Sequence, residues 1–170
     1  TLDGMRDVWA VHRALTEVRT PSRNLSLDDL CVRSSPTTCL VSGVLNFWGL
    51  SETAFNATAT TNQLVGRALA KPTFPNGIPV DRDLAMANFS LSTQLLDANA
   101  SLTTDVATFR GVSLVYVLDK SNASQVSGKD LAEFVKQADA KLWGKRGSRQ
   151  GATSPDWPSL RISYNYEDSV

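Results

Sequence analysis

The stretch that decides the fold spans residues 27–48 and reads Leu-Asp-Asp-Leu-Cys-Val-Arg-Ser-Ser-Pro-Thr-Thr-Cys-Leu-Val-Ser-Gly-Val-Leu-Asn-Phe-Trp. It contains both cysteines of the chain, Cys31 and Cys39, separated by a segment whose Ser-Ser-Pro-Thr-Thr is typical of a turn. A disulfide closing this short loop would stabilise the fold by about 2.5 kcal/mol through loop entropy. Two buried free thiols are the alternative. The spacing does not fit a Cys-x-x-Cys redox motif or a zinc site.

Two helices are predicted in the first 50 residues. Residues 3–19 repeat apolar side chains at helical spacing, and Pro21 should end that helix. The repeating positions are Met5, Val8, Val11, His12, Leu15 and Val18. Thr37 or Thr38 is expected to cap a second helix that is buried on much of its surface. Its apolar residues are Leu40, Val41, Val44, Leu45 and Trp48.

The C-terminal third has the pattern strand, helix, strand. Residues 112–118 form an apolar run that suits a central strand covered on both faces. Ser127 and Asp130 resemble a capping box at the start of a helix, which Gly144 can end. Residues 160–166 alternate apolar and polar side chains, as in a strand with one buried face. The order predicts a right-handed βαβ unit within an α+β fold.

The middle of the chain, residues 51–110, is predicted to be a helical and loop-rich insertion. Residues 64–70 suit a short helix or a strand, and residues 84–96 suit a helix. The predicted organisation is therefore a single domain over 1–170. It has a helical part with the cysteine loop in 1–50, the insertion in 51–110 and the βαβ part in 111–170.

Five Asn-x-Ser/Thr sequons indicate the compartment: Asn24, Asn56, Asn88, Asn99 and Asn122. Random placement of the chain's Asn, Ser and Thr would give about 1.7 of these glycosylation acceptors. All five occur in segments expected to be polar loops or ends of elements. Together with a short cysteine loop they favour an oxidising, non-cytosolic compartment, and accidental sequons in a cytosolic protein are the alternative.

Charge and hydropathy limit the possible partners. The 17 basic and 17 acidic residues cancel, which argues against a nucleic-acid partner. No apolar run approaches the ~20 residues of a membrane helix. The chain starts without the basic and apolar regions of a signal peptide, so we expect a mature fragment or an excised part of a longer protein.

Catalytic motifs are absent from the sequence, so we expect no enzyme activity, no cofactor and no metal site. His12 is the only histidine, and its place on an apolar face favours packing. Neither a Gly-x-Ser-x-Gly elbow nor a Gly-rich nucleotide-binding motif occurs. Of the four tryptophans, Trp9 and Trp48 are expected in the core, whereas Trp143 and Trp157 lie near predicted loops.

Residues 27–48 resemble the first large ectodomain of the Niemann-Pick type C and Patched family of transporters. That family has an acidic Leu-x-x-(Ile/Leu)-Cys, a short loop, a second Cys and then Ser-Val-Leu-x-(Tyr/Phe)-(Phe/Trp). The matching positions here are Cys31, Cys39, Ser42, Val44, Leu45, Asn46, Phe47 and Trp48. Gly43 is an extra residue relative to the pattern.

The resemblance implies a ferredoxin-like porter subdomain of a resistance–nodulation–division pump, with the disulfide Cys31–Cys39. It further implies a multi-pass membrane protein, on the cell surface or in an endosomal or lysosomal lumen, in which a second ectodomain is a partner. The expected role is guidance of a sterol or other lipid. A receptor-type ectodomain that binds a protein ligand is the alternative, and a secreted enzyme is the third reading.

Overall fold

The computed structural model describes residues 1–35, 38–75, 77, 79–81, 85–87, 90–95, 103–108, 111–118, 126–143, 153–154 and 157–161. The fold mixes helices with antiparallel strands, so the α+β class is confirmed at that level. Two compact units are present. The first unit comprises residues 1–2 and 40–117, and the second comprises residues 3–39 and 118–170.

The second unit begins with helix α1 (Leu2–Thr16, of which only Leu2 belongs to the first unit). Its buried residues are Met5, Val8, Trp9, Val11 and Ala14. Met5, Val8 and Val11 belong to the predicted apolar face, whereas His12 and Leu15 of that face are only half-buried. The helix ends where the Thr16 hydroxyl donates to the carbonyl of Arg13, over 2.8 Å. The predicted N-terminal helix is therefore confirmed, and it stops well before Pro21.

A tight loop and a cysteine hairpin follow in the second unit. Helix α2 (Leu27–Leu30) has a capping box, in which Ser26 and Asp29 satisfy each other's backbone and side-chain groups. Strand β1 (Arg33–Ser35) then pairs antiparallel with β2 (Thr38–Cys39).

Helix α5 (Gly128–Trp143) starts at the capping box that the sequence predicted. The Ser127 amide and hydroxyl both donate to the Asp130 carboxylate, at 2.8 and 2.7 Å, and the Asp130 amide donates back to the Ser127 hydroxyl at 3.2 Å. Phe134 and Leu142 are buried apolar residues of this helix. Strand β9 (Thr153–Ser154) pairs antiparallel with β10 (Trp157–Arg161).

The first unit is organised around β3 (Val41–Gly43), which pairs antiparallel with β8 (Leu114–Tyr116). A 3-10 helix (Val44–Trp48) follows β3 directly, and all five of its residues are buried. Helix α3 (Glu52–Thr58) is capped by Ser51, and α4 (Asn62–Ala70) is capped by Thr61. Both hydroxyls accept an amide three residues ahead, which satisfies one of the free N–H groups of each first turn.

Two further strand pairs belong to the first unit. Strand β4 (Met86–Ala87) pairs with β7 (Gly111–Val112), and β5 (Ser90–Leu95) pairs with β6 (Thr103–Thr108), both antiparallel. Helix α4 contacts β6. Aromatic side chains pack edge to face, with ring centroids 5.1 Å apart for Trp48 and Phe55 and 5.3 Å apart for Phe47 and the half-buried Phe74.

The predicted second helix is wrong over its first half. Thr38 lies in a strand, and Val41 faces Tyr116 in the β3–β8 pair. Thr37 lies outside the described residues. Helical spacing of Leu40, Val41, Val44 and Leu45 was misleading, because buried strand and buried 3-10 residues are equally apolar. Of the predicted helix, only Val44–Trp48 is helical, and it has the tighter 3-10 geometry.

The helix predicted for residues 84–96 is also wrong over Met86–Ala87 and Ser90–Leu95, which are strands, whereas Ala85 is helical. The Ser-Leu-Ser-Thr segment suits a pleated surface better than a helix. Residues 64–70, for which helix and strand were both open, belong to helix α4.

The strand predicted for residues 112–118 is confirmed in part, because β7 and β8 cover 111–112 and 114–116. Its predicted burial on both faces is wrong, since Val115 and Val117 are 52% and 37% exposed. Most of residues 160–166 lies outside the described residues. The parallel pairing of a βαβ unit therefore stays a prediction.

At Gly43 the chain passes close to the backbone of Ser113. Its φ of +149° is one that L side chains rarely adopt, and an added Cβ would lie 2.2 Å from the carbonyl oxygen of Ser113. The Val44 amide donates to that same carbonyl over 3.3 Å. Gly43, the extra residue relative to the family pattern, therefore allows β3 to pair with β8 and the chain to continue directly into the 3-10 helix.

Substitution of Gly43 by alanine should destabilise the first unit by about 3 kcal/mol, because the clash is with backbone and not with a flexible side chain. Guanidinium unfolding monitored by tryptophan fluorescence measures this loss. Gly77→Ala is the matched control. Gly77 also has a positive φ, +71°, but no atom of the described residues lies within 4 Å of the added Cβ. It should lose only about 1 kcal/mol, from backbone strain. Equal losses in the two variants would contradict the close-approach argument.

Candidate functional site

Cys31 and Cys39 form a disulfide, with Cα atoms 5.5 Å apart, within the usual range. The Cys31 amide donates to the carbonyl of Leu27 over 2.9 Å, so the first sulfur is anchored at the end of α2. Cys39 pairs with Arg33 across the β1–β2 hairpin. Both cysteines are buried. Of the two readings left open by the sequence, the structure has the disulfide and not the free thiols.

Asp28 lies beside this disulfide, with its Oδ1 3.3 Å from the Cys39 sulfur. The ligand atoms of Asp28, Cys31 and Cys39 all lie within 4.8 Å of one another, an arrangement that resembles part of a metal site. Metal-binding cysteines are thiolates, however, and here the two sulfurs are bonded to each other. In this oxidised form the two sulfurs form a structural crosslink, the disulfide brace.

Asn46 is the unusual residue of the 3-10 helix. It is 0% exposed, between the buried Leu45 and Phe47. Neither its Oδ1 nor its Nδ2 has a hydrogen-bond partner among the residues that the structure describes. An unpaired buried amide costs about 1–3 kcal/mol, and native proteins contain few of them. Sequence reasoning missed Asn46 except as a place in the family pattern. The available signal was one amide inside the apolar run Val-Leu-Asn-Phe-Trp.

Residues 20–26 form an ion pair and a hydrogen bond with α5 within the second unit. The Arg23 guanidinium contacts the Asp130 carboxylate at 3.0 Å, and the Ser22 hydroxyl donates to Glu133. Lys141 and Glu17 form a further, exposed ion pair at 3.2 Å. Exposed pairs of this kind contribute little, whereas Asp130 is buried and combines an ion pair with the capping box.

The pKa of Asp130 is held below the ordinary aspartate value of 3.8. The largest causes are the hydrogen bonds from the Ser127 amide and hydroxyl, and Arg23 adds a smaller effect. The same happens at Asp29, where hydrogen bonds from Ser26 lower the pKa. A carboxylate with a lowered pKa stabilises the fold above pH 3.8, and this contribution disappears as the pH falls through the folded-state pKa.

Asp130→Asn should therefore lower the melting temperature at pH 7 and equally at pH 5. The difference from wild type should shrink as the pH falls below about 3.8, where the unfolded-state carboxyl is protonated. Thermal unfolding from pH 7 to pH 2.5 measures this. Arg23→Gln is the control, since it leaves the capping box intact and should reduce the melting temperature less. A deficit for Asp130→Asn that stays constant down to pH 2.5 would contradict the assignment.

Two of the five sequon asparagines lie in the described part of the chain, and both are exposed. Asn24 occupies the loop before α2 with a φ of +57°, whereas Asn56 lies inside α3. The expectation that every sequon falls in a loop or at an element end is therefore wrong for Asn56. Asn88, Asn99 and Asn122 lie outside the described residues. Attachment of glycans to any of the five stays a prediction.

Thr58 serves two purposes, because it completes the Asn56 sequon and contacts the core. Its hydroxyl donates to the carbonyl of Ala54 over 2.8 Å. It accepts from the indole Nε1 of Trp48 over 3.1 Å. This bond satisfies the polar atom of a buried tryptophan, which is where the sequence placed Trp48.

Thr58→Val should lose the glycan at Asn56 and also about 1–2 kcal/mol of stability, because Trp48 keeps a buried N–H without an acceptor. Asn56→Gln should lose the glycan alone, and Thr58→Ser should keep both. Intact mass of protein secreted by eukaryotic cells measures occupancy. Denaturant unfolding of the unglycosylated protein measures stability. Equal stability of Thr58→Val and Asn56→Gln would contradict a structural role for the hydroxyl.

Val115 of β8 and Val117, which directly follows this strand, are both exposed, and their spacing of two residues places the side chains on one face. Tyr116 points to the opposite face, where burial raises the pKa of its phenol. We call Val115 and Val117 the valine pair. Single exposed valines are common, but two on one strand face are suited to contact with another apolar surface.

His12, the only histidine of the chain, is in a packing position. The His12 ring packs edge to face against Trp9, with centroids 5.9 Å apart. Trp9 is buried, as the sequence predicted. Trp143 ends α5 and Trp157 begins β10, which places both at the ends of elements.

No helix in the described part of the chain has the length and apolar character needed to cross a membrane. No protein-family model, curated protein or solved structure matches the chain.

Proposed function

We propose that this chain is an extracellular or luminal domain of a multi-pass transporter of the Niemann-Pick type C and Patched type. In this proposal it guides a sterol or another lipid, and its α+β fold is a ferredoxin-like porter subdomain. The observation that carries the proposal is the disulfide-closed segment 27–48, whose residues resemble the pattern of that family.

The compartment part of the proposal is supported by two independent features. A disulfide persists in secreted, surface and luminal proteins and is rare in the cytosol. Asn24 and Asn56 are both exposed, so the folded surface has room for a bulky glycan at each. Neither feature depends on the resemblance.

The cargo part is tested on the full-length membrane protein in a eukaryotic cell, using a photoactivatable cholesterol analogue. We expect saturable labelling that excess cholesterol competes away. A Cys31→Ser, Cys39→Ser double variant should lose this labelling, because it lacks the disulfide that closes the loop within segment 27–48. A His tag on the outer side of the same variant, detected at the cell surface, controls for its delivery to the membrane. Absence of labelling in a correctly delivered wild-type protein would reject lipid guidance.

The second candidate function is a receptor-type ectodomain that binds a protein ligand. The valine pair favours it, because exposed apolar side chains on a strand face suit a protein interface. A Val115→Asp, Val117→Asp double variant separates the two functions. Under lipid guidance, sterol labelling should persist in this variant. Under the receptor function, wild type should recover a stable protein partner from crosslinked cells and the double variant should not.

A further inference from the structure

The buried carboxamide of Asn46 is the strongest unexplained group in the first unit. A carboxamide offers two N–H donors and an acceptor oxygen with two lone pairs. All of this capacity is unused by the described residues, at a position with 0% exposure. Of the buried polar or charged residues that the structure describes, Asn46 is the one in the first unit, since Thr20 and Asp130 belong to the second.

The backbone holds Asn46 in a defined place. The 3-10 helix that carries it is bounded by Gly43 with a φ of +149° and by Gly49 with a φ of +63°. Gly43 contacts the backbone at Ser113. At the other end, the Gly49 amide donates to the carbonyl of Asn46 itself over 2.9 Å. The donor and acceptor of the side chain are therefore presented from a fixed backbone, which is how polar groups in binding sites are pre-organised.

The surroundings define the chemistry that the carboxamide can receive. The 3-10 helix contacts β3, α3 and α4, and its flanking residues are buried hydrocarbon and aromatic groups. The nearest such residues in sequence are Val44, Leu45, Phe47 and Trp48. A charged guest would be strongly disfavoured in this apolar setting, because no buried counter-charge is present among the described residues of the unit. A hydroxyl group donates one hydrogen bond and also accepts, so it can pair with both the oxygen and the N–H groups of a carboxamide.

We propose that Asn46 is the polar anchor of an internal binding site for the hydroxyl group of a small, uncharged, otherwise apolar alcohol. This deepens the proposed function and rests on it for the biological cargo, whose polar end would be an alcohol. The apolar body of the guest would lie among the aromatic side chains of the core. Access requires a local opening of the 3-10 helix, whose short hydrogen-bonded turns are weaker than those of an α-helix.

The test uses the full chain, labelled with 15N, and follows the side-chain NH2 signals of Asn46 by NMR. Those signals are assigned by their absence from Asn46→Leu. The probes are cyclohexanol and methylcyclohexane, which share a ring and differ by the hydroxyl. In wild type, cyclohexanol should shift the Asn46 signals and bind at least tenfold more tightly than methylcyclohexane. In Asn46→Leu the preference should disappear.

Stability gives a second, independent readout. Asn46→Leu removes the unpaired polar group with little change of volume, so the ligand-free variant should unfold at the same or a higher denaturant concentration than wild type. A lower midpoint would mean that Asn46 is already paired by the protein, and would overturn the proposal. If the variant does not fold, the Asn46 signals are assigned by triple-resonance NMR of the wild type, and the comparison of the two probes on wild type alone decides.

Two other results would overturn the site. In the first, the Asn46 signals show contact with water and no shift with cyclohexanol, which would mean that the carboxamide binds an internal water only. The two probes could also bind equally, which is a non-selective apolar core. Neither result bears on lipid guidance by the full-length protein, because the photolabelling experiment does not depend on Asn46. Conversely, selective cyclohexanol binding with no sterol labelling would retain the site and reject the proposed cargo.

Discussion

The close approach of Gly43 to the carbonyl of Ser113 is the constraint on which the first unit depends. It allows β3 to run against β8 up to the last residue of the strand, and it allows the chain to turn at once into the 3-10 helix. A side chain at this position would separate the two strands, because its Cβ would lie 2.2 Å from a backbone oxygen. The positions of the buried residues Val44–Trp48 therefore depend on the absence of a side chain at Gly43.

The sequence was informative wherever a local signal decides the structure. The Ser127–Asp130 capping box and the apolar face of α1 were recognisable because caps and helical periodicity depend on neighbours within one or two turns. The short cysteine loop likewise brings its own ends together. In each case the residues that determine the feature are adjacent in the chain.

The errors arose where partners distant in sequence decide. Val41 is a strand residue because Tyr116 lies opposite it, and no residue close to Val41 in the sequence indicates that partner. The φ of Gly43 could be suspected from an inserted glycine, but its cause is the Ser113 carbonyl, 70 residues away. The isolation of Asn46 was hidden for the same reason, because a missing hydrogen-bond partner is a property of the packed core and not of local sequence.

The segment 27–48 combines two features with opposite effects on stability. Its first half closes a disulfide, which reduces the entropy of the unfolded chain. Its second half buries a carboxamide without a partner, which destabilises the folded chain. A leucine at Asn46 would remove that penalty and would suit the apolar neighbours equally well. Local rules of this kind are most often broken at functional positions, where strain or an unpaired group is kept for a task. The disulfide and the aromatic packing stabilise this segment, whereas the carboxamide without a partner does not, which is why the proposed binding site is placed at Asn46.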